Sequence, residues 1–433
     1  AKAGAAVALV EVPQASTIPE IVVQNARRAA AIAARAWFGD PAARLDLVGV
    51  TGTNGKSTTV GLLRHVLSAV RPTGSMGTLG AFLPDGAAIP SEAGSLTTPG
   101  PIELQETLAE FARRGVRSVV MEVSSHSLDQ GRVEGLAFRA AVFTNLTHDH
   151  LDYHKDFAAY FAAKARLCGY LAPQGVAVVN ADDSAWRDLP VKGGGDRRVT
   201  FGITQPAQVR ATDIDLGSGG SRFQLVTPAG TAPVTLPLLG GFNVANALAA
   251  AATAWALDVP LKAVVERLGS APQVLGRMEV ITAEPFLVLR DYAHTPDALQ
   301  RALETVRQLA APGGRVVVVF GAGGDRDKKK RPAMGKIAAL LADIAVVTSD
   351  NPRTEDPAAI IAGIEAGMKG GRPHHRIVDR REAIAGALEL SRPGDVVLLA
   401  GKGHETCQVV GTAKHPFDER AIVRDLLRKA AAK

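Results

Sequence analysis

The sequence predicts an α/β protein with two domains that contain mostly parallel sheets. Three observations lead to this prediction. The 433 residues exceed one typical core. An apolar run at residues 47–51 leads into a glycine-rich turn and a helical apolar pattern. Four later apolar runs each end in a charged or glycine-rich loop. We therefore expect a central phosphate-loop (P-loop) domain with a mostly parallel sheet and a C-terminal doubly wound, Rossmann-like α/β domain.

Hydrophobic periodicity and turn residues place the other elements in order. The predicted strands are short apolar runs, at residues 7–12, 47–51, 116–123, 140–143, 176–180, 286–290, 315–320, 344–347 and 396–400. The alternating pattern of residues 199–234, with a turn at residues 217–220, predicts a further region rich in β-strands. The predicted helices have apolar residues at helical spacing or are rich in alanine, at residues 18–37, 60–67, 102–114, 157–171 and 240–257.

The turn after residue 50 has the composition of a phosphate cradle. Small residues let backbone N–H groups approach phosphate oxygens, a helix N-terminus adds its positive dipole, and a lysine adds a charge. Val50 stands where the general motif has glycine, so an ordinary turn rich in small residues is the alternative. The candidate phosphate-binding residues are Gly52, Thr53, Asn54, Gly55, Lys56, Ser57 and Thr58.

Composition narrows the classes of partner. A net charge of +6 and a pI near 9.4 suit an anionic partner, but the basic residues are dispersed and aromatics are only 5%, which favours small anions over nucleic acid. Two distant cysteines, Cys168 and Cys407, indicate a reducing compartment. The sequence has no apolar run of ~20 residues and no signal-peptide pattern. We expect a cytoplasmic protein without a membrane span.

Residues 144–154 contain three histidines and two aspartates directly after a predicted strand. These residues are His148, Asp149, His150, Asp152 and His154. A zinc site is one interpretation, but the carboxylates, the absence of a thiolate and the upstream phosphate loop favour magnesium. A solvated polar loop is the alternative.

Several single residues leave two interpretations open. Lys164, within an amphipathic helix, has the pattern of a lysine with a buried stem and a solvated amine. Asparagines at a helix start, such as the one at position 243, are most often caps, whereas Asn246, one turn further in, could face a ligand instead. The basic run at residues 328–331 is typical of a solvated face, whereas Arg326 and Arg353 follow strands and are better placed to bind carboxylates.

Seven ordered blocks resemble the Mur ligase family of peptidoglycan synthesis, and the resemblance runs from about residue 35 to the C-terminus. The blocks are residues 51–59, 122–126, 149–154, 160–164, 291–296, 323–327 and 350–353. The resemblance implies an enzyme that activates a carboxylate with ATP to an acyl phosphate, which an amino acid then attacks. It points to the addition of meso-diaminopimelate to the UDP-N-acetylmuramoyl (UDP-MurNAc) dipeptide L-alanyl-D-glutamate.

The resemblance also implies roles for individual residues. The expected catalytic residues are Lys56, Glu122, His150 and Lys164. The expected Mg²⁺ ligands are Ser57, Glu122, His150 and Lys164, the last as a CO₂-derived carbamate (N6-carboxylysine). The adenosine side of ATP is expected at Asn246, Arg277, Asp291 and His294. The UDP-MurNAc dipeptide is expected at Thr97, Thr98, Ser124, Gln130 and Arg132. Diaminopimelate is expected at Arg326, Asp350, Asn351, Pro352, Arg353, Gly401 and Glu405.

The resemblance to the family is incomplete at the N-terminal end of the sequence. Residues 1–22 match only a remnant of the N-terminal UDP-binding domain, before a central ATP-binding domain at residues 23–276 and an amino-acid-binding domain at residues 277–433. We expect a monomer that binds small molecules. A lysine-adding Mur ligase or a folylpolyglutamate synthetase is the alternative enzyme, although the lysine-adding relatives lack the arginine at position 353. An ATP-binding switch without ligation is the alternative outside enzymes.

Overall fold

The computed structural model describes residues 4–90, 96–147, 149–191 and 197–431, with only the backbone at Asp152 and Ala431. The chain forms two units. One contains Ala1–Asp213, Phe223–Val234 and Phe242–Ala271, and the other contains Ile214–Arg222, Thr235–Gly241 and Pro272–Lys433. Among the described helices, none is long and apolar enough to cross a membrane.

Eleven strands in the described part of the chain form the large sheet that carries the glycine-rich turn. Two short strands precede the sheet in the chain, β1 (Ala8–Val10) and β2 (Glu20–Val22). The strands of the sheet are β3 (Asp46–Thr51), β4 (Thr73–Gly77), β5 (Gly80–Phe82), β6 (Ala88–Ile89), β7 (Ser118–Glu122), β8 (Phe138–Phe143), β9 (Leu171–Asn180), β10 (Arg198–Gly202), β11 (Val209–Gly217), β12 (Gly220–Thr227) and β13 (Gly230–Leu236). The sheet order is β13-β12-β11-β10-β9-β8-β3-β7-β4-β5-β6, and β1 pairs with β2 separately.

The described helices of this part of the chain are α1 (Ala26–Trp37), α2 (Lys56–Leu67), α3 (Pro101–Arg113), α4 (Ser125–Asp129), α5 (Leu151–His154), α6 (Phe157–Ala165), α7 (Gly241–Ala256) and α8 (Leu261–Gly269). They include segments that the apolar patterns predicted and also α4, α5 and α8, which those patterns did not predict.

Strand β3 lies between β7 and β8, and it is parallel to both. Its residues Leu47, Val48 and Val50 are buried, which explains why the strand is apolar on both faces. Val50 pairs with Glu122, and Thr51 pairs with Phe143. The carboxyl ends of the three strands therefore meet at one edge of the sheet, where ligands bind in open α/β folds.

A second sheet of six described strands belongs to the C-terminal part of the chain. Its order is β14-β15-β19-β16-β17-β18. Within the described residues β14 and β15 pair in antiparallel fashion, and the other neighbouring strands are parallel. The strands of this region are β14 (Glu279–Thr282), β15 (Leu287–Asp291), β16 (Val316–Phe320), β17 (Ile344–Val347), β18 (His374–Arg376), β19 (Val396–Ala400), β20 (Cys407–Val410) and β21 (Ala413–Pro416). The helices are α9 (Pro296–Leu309), α10 (Lys330–Leu341), α11 (Pro357–Glu365), α12 (Arg380–Leu390) and α13 (Glu419–Ala431).

The predicted α/β class is confirmed, and β15, β16, β17 and β19 are the four apolar strands that the sequence indicated. The predicted helix at residues 18–37 is wrong at its start. Glu20–Val22 instead forms β2, parallel to β1, and the helix begins at Ala26 with Asn25 as its cap. The β-branched residues Ile21 and Val22 favour a strand over a helix. Helix α6 also ends earlier than predicted, at Ala165, and a 3-10 turn follows it.

Candidate active site

The glycine-rich turn between β3 and α2 has a shape that requires glycine at two positions. Gly52 has φ +146° and Gly55 has φ +86°. A Cβ atom at Gly52 would lie 1.9 Å from Thr144 Oγ1, and one at Gly55 would lie 2.4 Å from Asn246 Oδ1. Both backbone conformation and close neighbours therefore exclude a side chain. Asn246 lies inside α7, one turn after its start, and its side chain is next to the glycine-rich turn.

Residues that follow β8 hold the turn in place. Thr53 N donates to Asn145 O at 2.7 Å, and Asn54 N donates to Asn145 Oδ1 at 2.9 Å. The hydroxyl of Thr144 donates to Asn54 O at 2.7 Å. The turn leads directly into α2, whose first turn begins at Lys56 and includes Ser57 and Thr58. The N-terminal end of a helix carries a partial positive charge.

Lys56 and Lys164 share one acceptor at this turn. The Nζ atoms of Lys56 and Lys164 lie 3.0 Å and 2.8 Å from Gly52 O, and Lys56 Nζ also donates to Thr53 O. Lys164 is only 1% exposed, so the sequence-based interpretation of a solvated amine is wrong. Burial and the charge of Lys56 hold the pKa of Lys164 well below its usual value, which favours the neutral amine.

Glu122 ends β7 next to the turn and is buried. Its Oε1 accepts from Thr78 N at 2.9 Å, and its Oε2 accepts from the Thr78 hydroxyl at 3.2 Å. A Cβ atom at Gly77 would lie 2.3 Å from Oε1, so glycine is needed there for the carboxylate to fit. The Glu122 carboxylate is consequently held in one orientation at the sheet edge.

The five residues predicted for the dipeptide lie in one hydrogen-bonded network with Glu122. The Thr98 hydroxyl donates to Glu122 O at 2.9 Å and accepts from Ser124 N at 3.1 Å. The Thr78 hydroxyl links this network to the Thr97 hydroxyl at 3.1 Å. Arg132 Nη1 donates to Thr98 O at 2.9 Å, and its Nε donates to Gln130 Oε1 at 2.9 Å. The structure therefore brings Thr97, Thr98, Ser124, Gln130 and Arg132 together.

His150 lies in an aromatic cluster and has a left-handed backbone with φ +54°. Its ring makes an edge contact with His126 at a centroid distance of 4.8 Å. Loss of hydration is the main cause that lowers the pKa of His150 to about 4, and the positive charge of Lys56 adds to it, against an opposing effect of Asp149. The imidazole is neutral at pH 7 and has a lone pair available for a cation.

The described residues contain no group of three or more His, Cys, Asp or Glu side chains that is arranged to hold a metal. The predicted set of Ser57, Glu122, His150 and Lys164 instead offers a hydroxyl, one carboxylate, an imidazole and an amine. A carbamate on Lys164 would supply a second anionic oxygen donor, and oxygen donors suit Mg²⁺. His148 and the side chain of Asp152, both candidates in the sequence, lie outside the described residues.

The residues predicted for adenosine in the second unit surround Tyr292. The guanidinium of Arg277 lies 4.7 Å from the centroid of the Tyr292 ring, and His294 Nδ1 lies 2.7 Å from Tyr292 O. Asp291 ends β15, and one of its carboxylate oxygens accepts from Met278 N at 2.7 Å. Burial raises the pKa of Asp291 despite the opposing charge of Arg277. Asn246 belongs to the other unit.

The residues predicted for diaminopimelate lie on loops that follow β16, β17 and β19. Asn351 Nδ2 donates to Glu405 Oε2 at 2.8 Å, and Arg353 Nη1 donates to Gly324 O at 2.7 Å. A Cβ atom at Gly401 would lie 2.5 Å from Asp350 Oδ2. The remaining members lie beside these residues: Gly324 contacts the Pro352 backbone, and Gly323 packs near Arg326 Cγ. The structure therefore brings this set together as well.

Sequence reasoning missed the residues that support this set. Hairpin β20–β21 binds the backbone of Arg353, since Arg353 N donates to Val409 O at 3.1 Å and Gly411 N donates to Arg353 O at 2.7 Å. Gly411, which has φ +59° between Cys407–Val410 and Ala413–Pro416, was the available turn signal. Lys402 lies in a loop that the sequence singled out, but nothing in the sequence indicated that its side chain is buried.

The basic run at residues 328–331 is only partly a solvated face. Arg331 is buried, and its guanidinium binds Glu355 at 2.9 Å and 3.0 Å. Lys328 and Lys329 are exposed, as predicted.

Comparison with known proteins agrees with this arrangement. Residues 50–254 match the Mur ligase middle domain, and residues 276–403 match the domain described as Mur ligase, glutamate ligase domain. A protein of Thermosynechococcus vestitus named UDP-N-acetylmuramoyl-L-alanyl-D-glutamate--2,6-diaminopimelate ligase is 45% identical over 99% of this chain and 87% of its own length. A protein of Geobacillus thermodenitrificans with the same name is 43% identical over 98% of this chain and 88% of its own length.

Solved structures show the same relationship. A structure titled as a UDP-N-acetylmuramoyl-L-alanyl-D-glutamate--2,6-diaminopimelate ligase is 36% identical, with a TM-score of 0.67, over 98% of this chain and 86% of that chain. Folylpolyglutamate synthase of Mycobacterium tuberculosis, complexed with ADP, shares the fold at 21% identity, with a TM-score of 0.72 over 86% of this chain and 91% of that chain. The two matched domains and the relatives above 40% identity lead to one conclusion: this chain belongs to the Mur ligase family.

Proposed function

We propose that this chain is the ATP-dependent ligase that adds meso-diaminopimelate to UDP-N-acetylmuramoyl-L-alanyl-D-glutamate in the cytoplasm. The supporting observation is the set of opposite charges on the loops after β17 and β19. Arg353 carries a guanidinium, and Glu405, bound to Asn351, carries a carboxylate. The distal end of diaminopimelate carries a carboxylate and an ammonium, so a cation and an anion can bind it separately. L-lysine lacks that carboxylate.

The first chemical step joins two anions that repel each other. An oxygen of the glutamate carboxylate attacks the γ-phosphorus of ATP, the bond to the β-phosphate oxygen breaks, and ADP leaves. We assign the terminal phosphates to residues 52–58, with Lys56 as the neutralising cation. Positioning of the dipeptide carboxylate is assigned to Thr97, Thr98, Ser124, Gln130 and Arg132, whose network ends at Glu122.

Mg²⁺, when bound, supplies positive charge that offsets the repulsion of phosphate and carboxylate. We assign it to Ser57, Glu122, His150 and Lys164 as a carbamate. Carbamate formation requires a neutral amine that attacks CO₂ and loses a proton, and the lowered pKa of Lys164 favours that form. The low pKa of His150 likewise keeps its imidazole uncharged at neutral pH, with one ring nitrogen unprotonated.

The second step consumes the acyl phosphate. A neutral amine of diaminopimelate attacks the acyl carbon, phosphate leaves, an amide forms, and the amine loses a proton. We assign the acceptor to Arg326, Asp350, Asn351, Pro352, Arg353, Gly401 and Glu405, and the adenosine side of ATP to Asn246, Arg277, Asp291 and His294. We also propose three parts of the chain: residues 1–22 as a remnant of the UDP-binding domain, residues 23–276 as the ATP-binding domain and residues 277–433 as the amino-acid-binding domain. The proposed enzyme is a monomer.

One assay tests the proposal. Release of ADP is measured with ATP, Mg²⁺ and the UDP-muramoyl dipeptide, together with either meso-diaminopimelate or L-lysine. We expect turnover that depends on all substrates and strongly favours diaminopimelate. Equal turnover with both acceptors would contradict the assignment of Arg353, and preference for L-lysine would indicate the lysine-adding ligase. ADP release without any acceptor requirement would indicate a switch.

A further inference from the structure

Lys402 is a buried cation among the residues that we assign to the acceptor. Its side chain is 0% exposed, and its Nζ lies 3.0 Å from Asn351 Oδ1 and 3.1 Å from Glu405 Oε2. The Phe417 ring lies 5.9 Å from Nζ. A buried ammonium with one carboxylate partner adds little net stability, because both ions lose their hydration. Stability alone therefore does not account for the buried position of this ammonium.

Lys402 determines which way the Asn351 amide points. Asn351 Oδ1 accepts hydrogen bonds from Lys402 Nζ and, at 2.9 Å, from Val409 N. A rotated amide would place its own NH₂ group against both of these donors. The NH₂ group is therefore directed to Glu405 Oε2, at 2.8 Å.

The same cation orients Glu405. Oε2 of this carboxylate accepts from both Lys402 and Asn351. No donor to Oε1 occurs among the residues that the structure describes. One oxygen of the carboxylate is thus occupied by the protein, and the other can accept a hydrogen bond from a ligand.

Charge balance gives Lys402 a second effect. Lys402 Nζ is the cation that pairs with the Glu405 carboxylate. With this pair intact, Glu405 presents a partly neutralised carboxylate, which suits the zwitterionic end of a diamino dicarboxylic acid. Removal of Lys402 leaves the Glu405 carboxylate without this neighbouring positive charge, which favours an acceptor with only an ammonium at that end.

We propose that Lys402 is a positioning residue that sets acceptor selectivity, since it orients Asn351 and Glu405 and offsets the charge of Glu405 for a zwitterionic side chain. The inference rests on the proposed ligase function. Lys402 acts through its two neighbours and makes no contact with the acceptor itself.

The test compares Lys402→Gln and Lys402→Met with the unaltered enzyme. Glutamine keeps a donor of similar length but removes the charge, and methionine removes both. For meso-diaminopimelate we expect kcat/KM to fall about 10- to 100-fold, through KM, as for loss of one charged hydrogen bond. The KM values of ATP and the UDP-muramoyl dipeptide should stay unchanged, and the preference for diaminopimelate over L-lysine should fall at least about 5-fold.

Lys414→Gln is the matched control, because it removes the same charge from an exposed position on β21 of the neighbouring hairpin. It should leave the preference unchanged. Thermal unfolding of each variant shows whether it folds, and Lys402→Gln serves if Lys402→Met does not. An equal loss with both acceptors, or no loss, would overturn the inference. Failure of the unaltered enzyme to use diaminopimelate would instead overturn the proposed function.

Discussion

Replacement of Arg353 by asparagine removes the guanidinium and preserves the local backbone. Arg353 has φ +52°, a conformation that asparagine tolerates better than most residues. Its N–H and C=O are bound by Val409 and Gly411 of the hairpin, and these bonds do not involve the side chain. The Arg353→Asn variant is therefore expected to fold normally. Because Nη1 is already bound to Gly324 O, the remaining N–H groups of the fork are the ones available to a carboxylate.

The size of the effect follows from these contacts. Each hydrogen bond from a charged donor contributes about 1.5–3 kcal/mol. Arg353 is only partly buried, so solvent weakens the pair, and we take a total loss of about 3 kcal/mol for one or two bonds. This predicts that kcat/KM for meso-diaminopimelate falls by about 10²-fold. The kcat/KM for L-lysine, which has no distal carboxylate, should change by less than about 3-fold.

The assay is ADP release at varied acceptor concentration, with saturating ATP and UDP-muramoyl dipeptide. Arg301→Asn is the control, since Arg301 is an exposed arginine on α9 whose side chain binds Asp297 within the same helix. It should leave both acceptors unaffected. Parallel losses for diaminopimelate and lysine would show that Arg353 supports the loop rather than binding the distal carboxylate, and the reasoning from charge would be refuted.

Three further predictions concern buried groups. Lys164→Ala should lower activity by at least about 10²-fold, with partial recovery in formate, which supplies a carboxylate oxygen; full activity without formate would rule out a catalytic carbamate. Lys164→Met should raise the free energy of unfolding at pH 7 in CO₂-free buffer, by ~1.4 kcal/mol for each unit by which the folded pKa of Lys164 lies below 10.5, counted only down to pH 7, less the lost bond to Gly52 O. The unfolded chain binds this proton more tightly, so the gain should shrink as pH rises toward 10.5, and urea titrations that show a constant gain would contradict the burial argument. Glu419→Gln should destabilise by about 3–5 kcal/mol, because it leaves the fully buried Arg380 without its charged partner; an unchanged urea midpoint would contradict this.

Much of the fold could be predicted from local pattern. Strands such as β3 and β16 are buried on both faces, so their apolar runs are continuous and easily recognised. The phosphate-binding turn could be recognised from Gly52 and Gly55. The backbone conformation and the close neighbours at these two positions allow only glycine, so the structural requirement is visible as a residue type in the sequence. The strand β2 was missed because three residues are too few for a period to emerge.

Burial and partnership of polar side chains could not be predicted in the same way. Lys164 in α6 and Lys402 after β19 have sequence surroundings that suit a solvated lysine, and both are buried. Their surroundings come from segments far away in the chain, such as Gly52 for Lys164 and Asn351 for Lys402. A pattern with a range of a few residues carries no information about such contacts.

The sequence by itself determined the α/β class, the phosphate-binding turn and the residue types at the ends of the parallel strands, because steric limits and hydrophobic periodicity act over short distances. Only the tertiary structure decided that Lys56 and Lys164 share Gly52 O, that Thr98 links Arg132 to Glu122, and that Lys402 orients Asn351 and Glu405. These relations depend on strand order and register, which bring remote residues to one sheet edge and set how much water reaches them.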